Sequence, residues 1–472
     1  MATVHIAYNV EEDGNVRSVE LPFVLDVLAA LRGDPSDPHP LRDRKFTYVD
    51  RENLDSVVAA YEPRLHLVIP NRLERHGTPL QVELRFRSLA DFEPEGVARQ
   101  IPAMAKLIAT GHAGASEELA EILQAPAFQR LAATWRGLHA LLSSVDAGGS
   151  VKVRVLDVSK HELLADFREA RALERTVLFR KVYVEPFGVW GAEPAAAIVG
   201  DYEFSNTADD LELLDSLASL GAAAHAPFVA TASPQMFGCQ DFAELSNKRG
   251  LARIFEGPAY ARWRSFRQSG QAAFAVLLVP RMSFTEWGSA AFLLGARLAE
   301  AFQRHHWCGA ITGTEASGLP DAQEKDLHEC GFNVLVPEKS AALPLITCLR
   351  PKLYQEAAAA AAARKAAQLA YVLATSRFAH YLMAIMRDTA GQPSRESCEK
   401  MLNDWIRQYV VENDSASDDV KAKFPLRDAR IKVDRPPDDD LFLATVSLRP
   451  HFQVADPGLA LRSVVELPPS AA

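Results

Sequence analysis

The sequence carries no CxxC pair, and its five cysteines, Cys239, Cys308, Cys330, Cys348 and Cys398, are widely spaced and odd in number. That argues against a disulfide framework and fits reduced thiols. Excess positive charge is also missing. The 61 acidic residues outnumber 51 basic ones and leave a formal net charge of −10, which argues against a general nucleic-acid binder. No window reaches the ~18 apolar residues of a membrane span, and the alanine run at 357–363 is too short and too weakly apolar to insert. The N-terminus, MATVHIAYNVEEDG, lacks the basic and apolar regions of a signal peptide. A cytoplasmic protein is expected. A hydrophobic content of 48% over 472 residues allows two or three domains with sizeable cores.

Catalytic signatures are equally scarce. There is no GxxxxGK[ST], no GxGxxG after a strand and no GxSxG. His161 and Glu162 begin an HExxH, but Ala165 holds the fifth position, so the zinc motif fails. His305, His306 and Cys308, like His328 and Cys330, match no metal-ligand spacing. The acidic stretch from Asp414 to Asp419 lacks the glycine of a calcium loop, and Asp438 to Asp440 read as a hairpin tip. Asp201 and Glu203 follow a buried strand, where α/β enzymes often place acids, yet no base or nucleophile stands near them in sequence. No catalytic residue, cofactor or metal ligand is assigned.

What is present is a run of alternating elements. Residues 1–108 read as a small α/β unit, with strands at Val4–Val10, 44–50, Leu65–Pro70 and Leu80–Ser88 and a helix at Arg51–Tyr61 opened by Asp50. The small residues of 109–116 read as a linker. From 117 to 345 a helix over 117–142 precedes strands and helices in alternation, which predicts a mainly parallel sheet. The strongest helical signal spans 351–387, or about 354–387 once its start is trimmed. Its alanines favour helix, its apolar residues form a stripe, and Arg364, Lys365, Arg377 and Arg387 are expected off that stripe. Beyond it, 395–411 reads as a helix and 429–433, 442–448 and 461–467 as strands.

Several long motifs resemble the contractile sheath of the bacterial type VI secretion system, which is built from a small and a large subunit. VELPFVLDVLAAL (19–31), PLRDRKFTYVDREN (40–53) and LQVELRFRSLADFEPEGVARQIP (80–102) resemble the small subunit. PAFQRLAATWRGLH (126–139), VKVRVLDVSKHELL (151–164), IVGDYEF (198–204), AAAHAPFVATASPQMFG (222–238), AYVLATSRFAHYLMAIMRD (370–388), KFPLRDARI (423–431) and LRPHFQ (448–453) resemble the large one, in order. The chain is similar to both subunits joined.

The resemblance implies an α/β fold of the phage tail sheath type, with mixed sheets, a long helix and a tube-proximal part at 351–472. It implies a homo-oligomeric helical sheath, an inner-tube protein and a baseplate as partners, and neither nucleic acid nor membrane. By resemblance, Lys421, Lys423, Arg427 and Arg430 would face acidic groups of the tube. The terminal strands, with Val4, Ile6 and Tyr8 at one end and Val464 and Val465 at the other, are candidate arms exchanged between protomers; pairing within the chain stays open. In the family a helix ahead of the large subunit's first motif is recognised by an AAA+ recycling ATPase. Here only ATGHAGASEELAEILQA separates the halves, which argues against that partner. A sheath relative that caps, initiates or regulates without polymerising, and an α/β enzyme on 117–340, remain as alternatives.

Overall fold

The computed structural model describes residues 3–12, 15–34, 39–70, 78–101, 113–245, 248, 250–280, 289–307, 326–335, 368–389, 393–413, 415–435, 441–451 and 461–467. Its strands are β1 (Tyr8–Glu12), β2 (Asn15–Val19), β3 (Phe23–Ala29), β4 (Thr47–Val49), β5 (Arg64–Ile69), β6 (Leu80–Arg85), β7 (Val151–Asp157), β8 (Ala195–Phe204), β9 (Phe228–Ala232), β10 (Ala275–Pro280), β11 (Phe332–Leu335), β12 (Leu426–Asp434), β13 (Phe442–Pro450) and β14 (Leu461–Leu467).

A seven-stranded sheet of order β11-β10-β9-β8-β3-β7-β4 dominates. All its pairs are parallel except the β4–β7 edge, so the predicted parallel sheet is present with one antiparallel strand added. Its middle was not legible. β3, from the segment read as a separate unit, inserts between β7 and β8. The reason is its composition. FVLDVLA is buried at every position, and a strand apolar on both faces belongs inside a covered parallel sheet. Phe23, Leu25, Val27 and Ala29 enter one core while Leu28 enters the other. Helices Leu54–Tyr61, Pro126–Ser143 and Ala290–His305 cover the first face, and Lys160–Ala170 and Ala208–Ala223 the second.

Local signals explain several boundaries. The predicted helix over 117–142 is two helices, Ala113–Gln124 and Pro126–Ser143, because Pro126 has no N–H to continue the first. Ser159 caps the Lys160–Ala170 helix in a capping box with Glu162, which is the work His161-Glu162 does in place of zinc chemistry. Asn53, not Asp50, occupies the N-cap of Leu54–Tyr61. Asp50 Oδ1 instead accepts from Glu52 N (2.9 Å) and Asn53 N (2.8 Å), an Asx turn that feeds the helix. Gly33 sits at φ +70°, where a β-carbon would lie 2.4 Å from Arg64 O, so only glycine lets the chain pass there.

The long helix is described from Leu369 to Asp388; residues 351–367 lie outside the described residues. It is buried all round, and its arginines are buried with it. Arg377 and Arg387 are 7% and 1% exposed, inside the core rather than off the stripe. A helix apolar on every side leaves no solvated face for a guanidinium. The same helix has a mean hydropathy of 1.2, which makes it long and apolar enough to cross a membrane on composition alone, contrary to the reading of the sequence. Its burial within the chain accounts for that composition. Around it gather the antiparallel β12-β13-β14 sheet, the Arg395–Arg407 helix and the N-terminal segment, as a third core.

Candidate assembly surface

The third core holds the two chain ends that the sequence pointed to. Val4, Ile6, Tyr8 and Val10 alternate inward, each at most 5% exposed, and meet Tyr381, Phe378 and Trp405. The strand itself is shifted from the expected Val4–Val10 to Tyr8–Glu12. It pairs antiparallel with β2, a strand the sequence reading missed. Ahead of it, the backbone is held by side chains rather than by a ladder. Tyr381 Oη donates to Ile6 O and accepts from Leu21 N at 3.0 Å. Trp405 Nε1 donates to Ala7 O (2.9 Å), as does Tyr409 Oη (2.6 Å), which also accepts from Ala7 N (3.0 Å). Arg377 donates to Leu21 O and to Pro22 O (3.0 Å). Burial pushes the Tyr381 phenol up to about 12, so it stays protonated and able to donate.

Tyr8 Oη donates to Asp388 Oδ2 at 2.6 Å. Burial, then that hydrogen bond, drives its pKa upward. Arg387 completes the group, donating to Asp388 and to Pro186 O (2.7 Å) and Ala192 O (2.8 Å). Sequence reasoning missed Arg377, Arg387, Tyr381, Trp405 and Tyr409. The arginines in an otherwise apolar helix were the signal.

At the other end, β14 pairs with β13 on one side, and its residues alternate: Val465 is fully buried while Val464 is 56% exposed. Lys421 and Lys423 lie on the Asp418–Lys423 helix, with Lys421 half-buried and Lys423 exposed beside Phe424. Arg427 is half-buried on β12, and Arg430, exposed on the same strand, lines a groove of about 780 Å³ with Asp428, Glu412 and Asp404. The four cations thus share one region of the chain, with carboxylates among them.

The acids weighed for catalysis have structural partners. Thr134 Oγ1 donates to Asp201 at 2.5 Å, and burial pushes that carboxyl up to about 6. Glu203 is likewise raised by burial, opposed by Lys160. Cys330 is buried; Cys308, Asp414 and Asp438 to Asp440 lie outside the described residues.

A sheath protein, TssC1 of Pseudomonas aeruginosa, described as a type VI secretion system sheath protein, is 31% identical over 453 residues, covering 82% of this chain and 91% of its own length. The chain belongs to the type VI secretion sheath family. A second sheath protein of that organism, TssB1, is 35% identical over 137 residues, 26% of this chain and 79% of its own length. Three family models agree. The VipA model matches residues 2–145, the VipB tail sheath N-terminal domain 105–286, and the VipB gpW/gp25-like tail sheath domain 358–467. The chain is therefore a fusion of the two sheath proteins and a structural subunit of the contractile sheath. The first two matches overlap at 105–145, over the two helices that precede β7.

Proposed function

We propose that this fused protomer, its small-subunit part (1–108) joined through 109–116 to its large-subunit part (117–472), polymerises helically in the cytoplasm around an inner tube. On this reading it is anchored at a baseplate and contracts to drive the tube outward. The observation that carries the reading is the edge position of β14, which among the described residues pairs with β13 alone, with Val464 exposed on it. An edge strand offers unpaired N–H and C=O groups to another chain, and strand addition turns that hazard into an interface. Val16, 70% exposed, lies on β2, which among the described residues pairs with β1 alone, at the opposite end of the sequence. Contraction needs two packings close in free energy. The residues ahead of the β1 ladder are held by side-chain hydrogen bonds, one backbone bond and apolar burial, contacts of the kind that another chain's strand can exchange. Lys421, Lys423, Arg427 and Arg430 are the proposed contact with acidic groups of the tube.

The test is pelleting and negative-stain microscopy of Val464→Lys. An exposed substitution should leave monomer stability within about 0.5 kcal/mol, while a charge on the joining edge should abolish tubes. Normal tubes from this variant would contradict the β14 interface.

A further inference from the structure

The N-terminal segment and the end of the Ala290–His305 helix meet at three metal-binding side chains that no motif in the sequence links. His306 Nδ1 is 3.1 Å from Glu20 Oε1, and His5 Nδ1 is 3.6 Å from Glu20 Oε2. All three ligand atoms lie within 4.8 Å of one another, and the two imidazole rings are 5.1 Å apart, edge to face. Zinc bonds of about 2.0–2.1 Å in a tetrahedron place neighbouring ligand atoms about 3.3 Å apart. The two separations, one to each oxygen of Glu20, lie on either side of that value, and no pair of ligand atoms is more than 4.8 Å apart.

A second observation is independent of these distances. His306 is the C-cap of its helix and takes a left-handed backbone, φ 49° and ψ 24°, with its N–H donating to Phe302 O. Glycine is the usual occupant of that position, because a β-carbon is strained there. A histidine at this site accepts the strain and stacks its ring on Phe302, at 5.6 Å between centroids and 12° between planes. The stack holds the plane of the ring, and the contact with Glu20 Oε1 at 3.1 Å turns Nδ1 toward that carboxylate. The adjoining carbonyl of His305 accepts from Val4 N at 2.8 Å, so the backbone that carries His5 is docked on the same helix end.

We infer that His5, Glu20 and His306 form a site for a zinc-class divalent cation that staples the N-terminal segment to the body of its own chain. Two imidazoles and one carboxylate are a ligand set suited to zinc, with the fourth position left to water. His5 and Glu20 are solvent-exposed, so an ion can enter without unfolding.

The probe is zinc chloride, titrated into the full tag-free chain against a chromophoric chelator, with thermal unfolding alongside. His306→Gly is the decisive variant, because glycine suits the left-handed cap and keeps the helix end intact. The expected result is a zinc site in the wild type that weakens at least tenfold in His306→Gly, His5→Ala and Glu20→Gln alike. Zinc should also raise the Tm of the wild type but not that of His306→Gly, whose metal-free Tm is equal to or above wild type. Absence of zinc binding, or wild-type affinity in any of the three variants, would overturn the proposal.

Discussion

Asp26 stands opposite Arg154 in the register of two adjacent central strands, and Arg154 donates to both of its carboxylate oxygens, one of them at 3.0 Å. Asp26 is on β3, in the small-subunit part, and Arg154 on β7, in the large-subunit part. Both are buried. Burial pushes the Asp26 carboxyl up and Arg154 opposes it. Neighbouring contacts cross the same seam: Trp135 Nε1 donates to Leu31 O (3.0 Å), Leu31 N to Asp157 (2.8 Å), and Arg44 to Glu162 (2.5 Å). The seven-stranded sheet and all three cores run across the join.

Removing one member of this pair leaves a buried charge alone. Asp26→Ala should lower stability by about 3–5 kcal/mol, and the double change Asp26→Leu with Arg154→Met should restore most of it. Urea unfolding measures both. A loss in the double variant as large as in the single one would contradict a seam governed by charge pairing.

Tyr381 anchors the N-terminal segment at two backbone groups. Tyr381→Phe removes the donor to Ile6 O and the acceptor for Leu21 N while keeping the ring. The expected cost is about 1–3 kcal/mol, the penalty for buried backbone groups left unpaired. Limited proteolysis should cut before residue 21 faster than in the wild type. An unchanged digestion pattern would show that apolar burial of Val4, Ile6 and Val10 alone retains the segment.

Two buried histidines set an acid limit. Burial lowers His225 to about 4 and His380 to about 3, with His380 Nε2 2.9 Å from Ala224 O. The unfolded chain protonates these groups near pH 6.5 while the folded chain does not. The unfolded state therefore binds more protons below pH 6.5, and stability falls as pH drops from 6.5 toward 4. Asp201, raised to about 6, acts in the opposite sense between about pH 6 and 4, because there the folded state takes up the proton first. His380→Gln should reduce the acid slope by up to about 1.4 kcal/mol per pH unit in this window. Unfolding curves at pH 7.5, 6.5, 5.5 and 4.5 test it; an unaltered slope would contradict a neutral buried His380.

The sequence made the parallel sheet legible because it holds apolar runs such as AAAIV and FAVLLV beside the β-branched stretch VKVRVLDV. It made the C-terminal strands legible through alternation. It could not show that β3 enters between β7 and β8, since more than 120 residues separate it from either partner and periodicity is silent on pairing. Nor did the helical stripe reveal the fate of Arg377 and Arg387. The segment LAYVLATSRFAHYLMAIMRD is apolar on all sides, which points to burial, and buried arginines require partners that only the fold supplies. For the assembly residues the reading identified the segments but not the orientation. Val4, Ile6, Tyr8 and Val465 turn into the chain's own core, and Val464 turns out.

The central claim, that one fused chain suffices to build the sheath, is tested most directly by electron microscopy of the purified protein alone. Long hollow tubes with cogwheel cross-sections, formed without any separate small sheath subunit, are the predicted result. Monodisperse particles that persist when the inner-tube protein is added, or tubes that appear only when a separate small subunit is supplied, would contradict it.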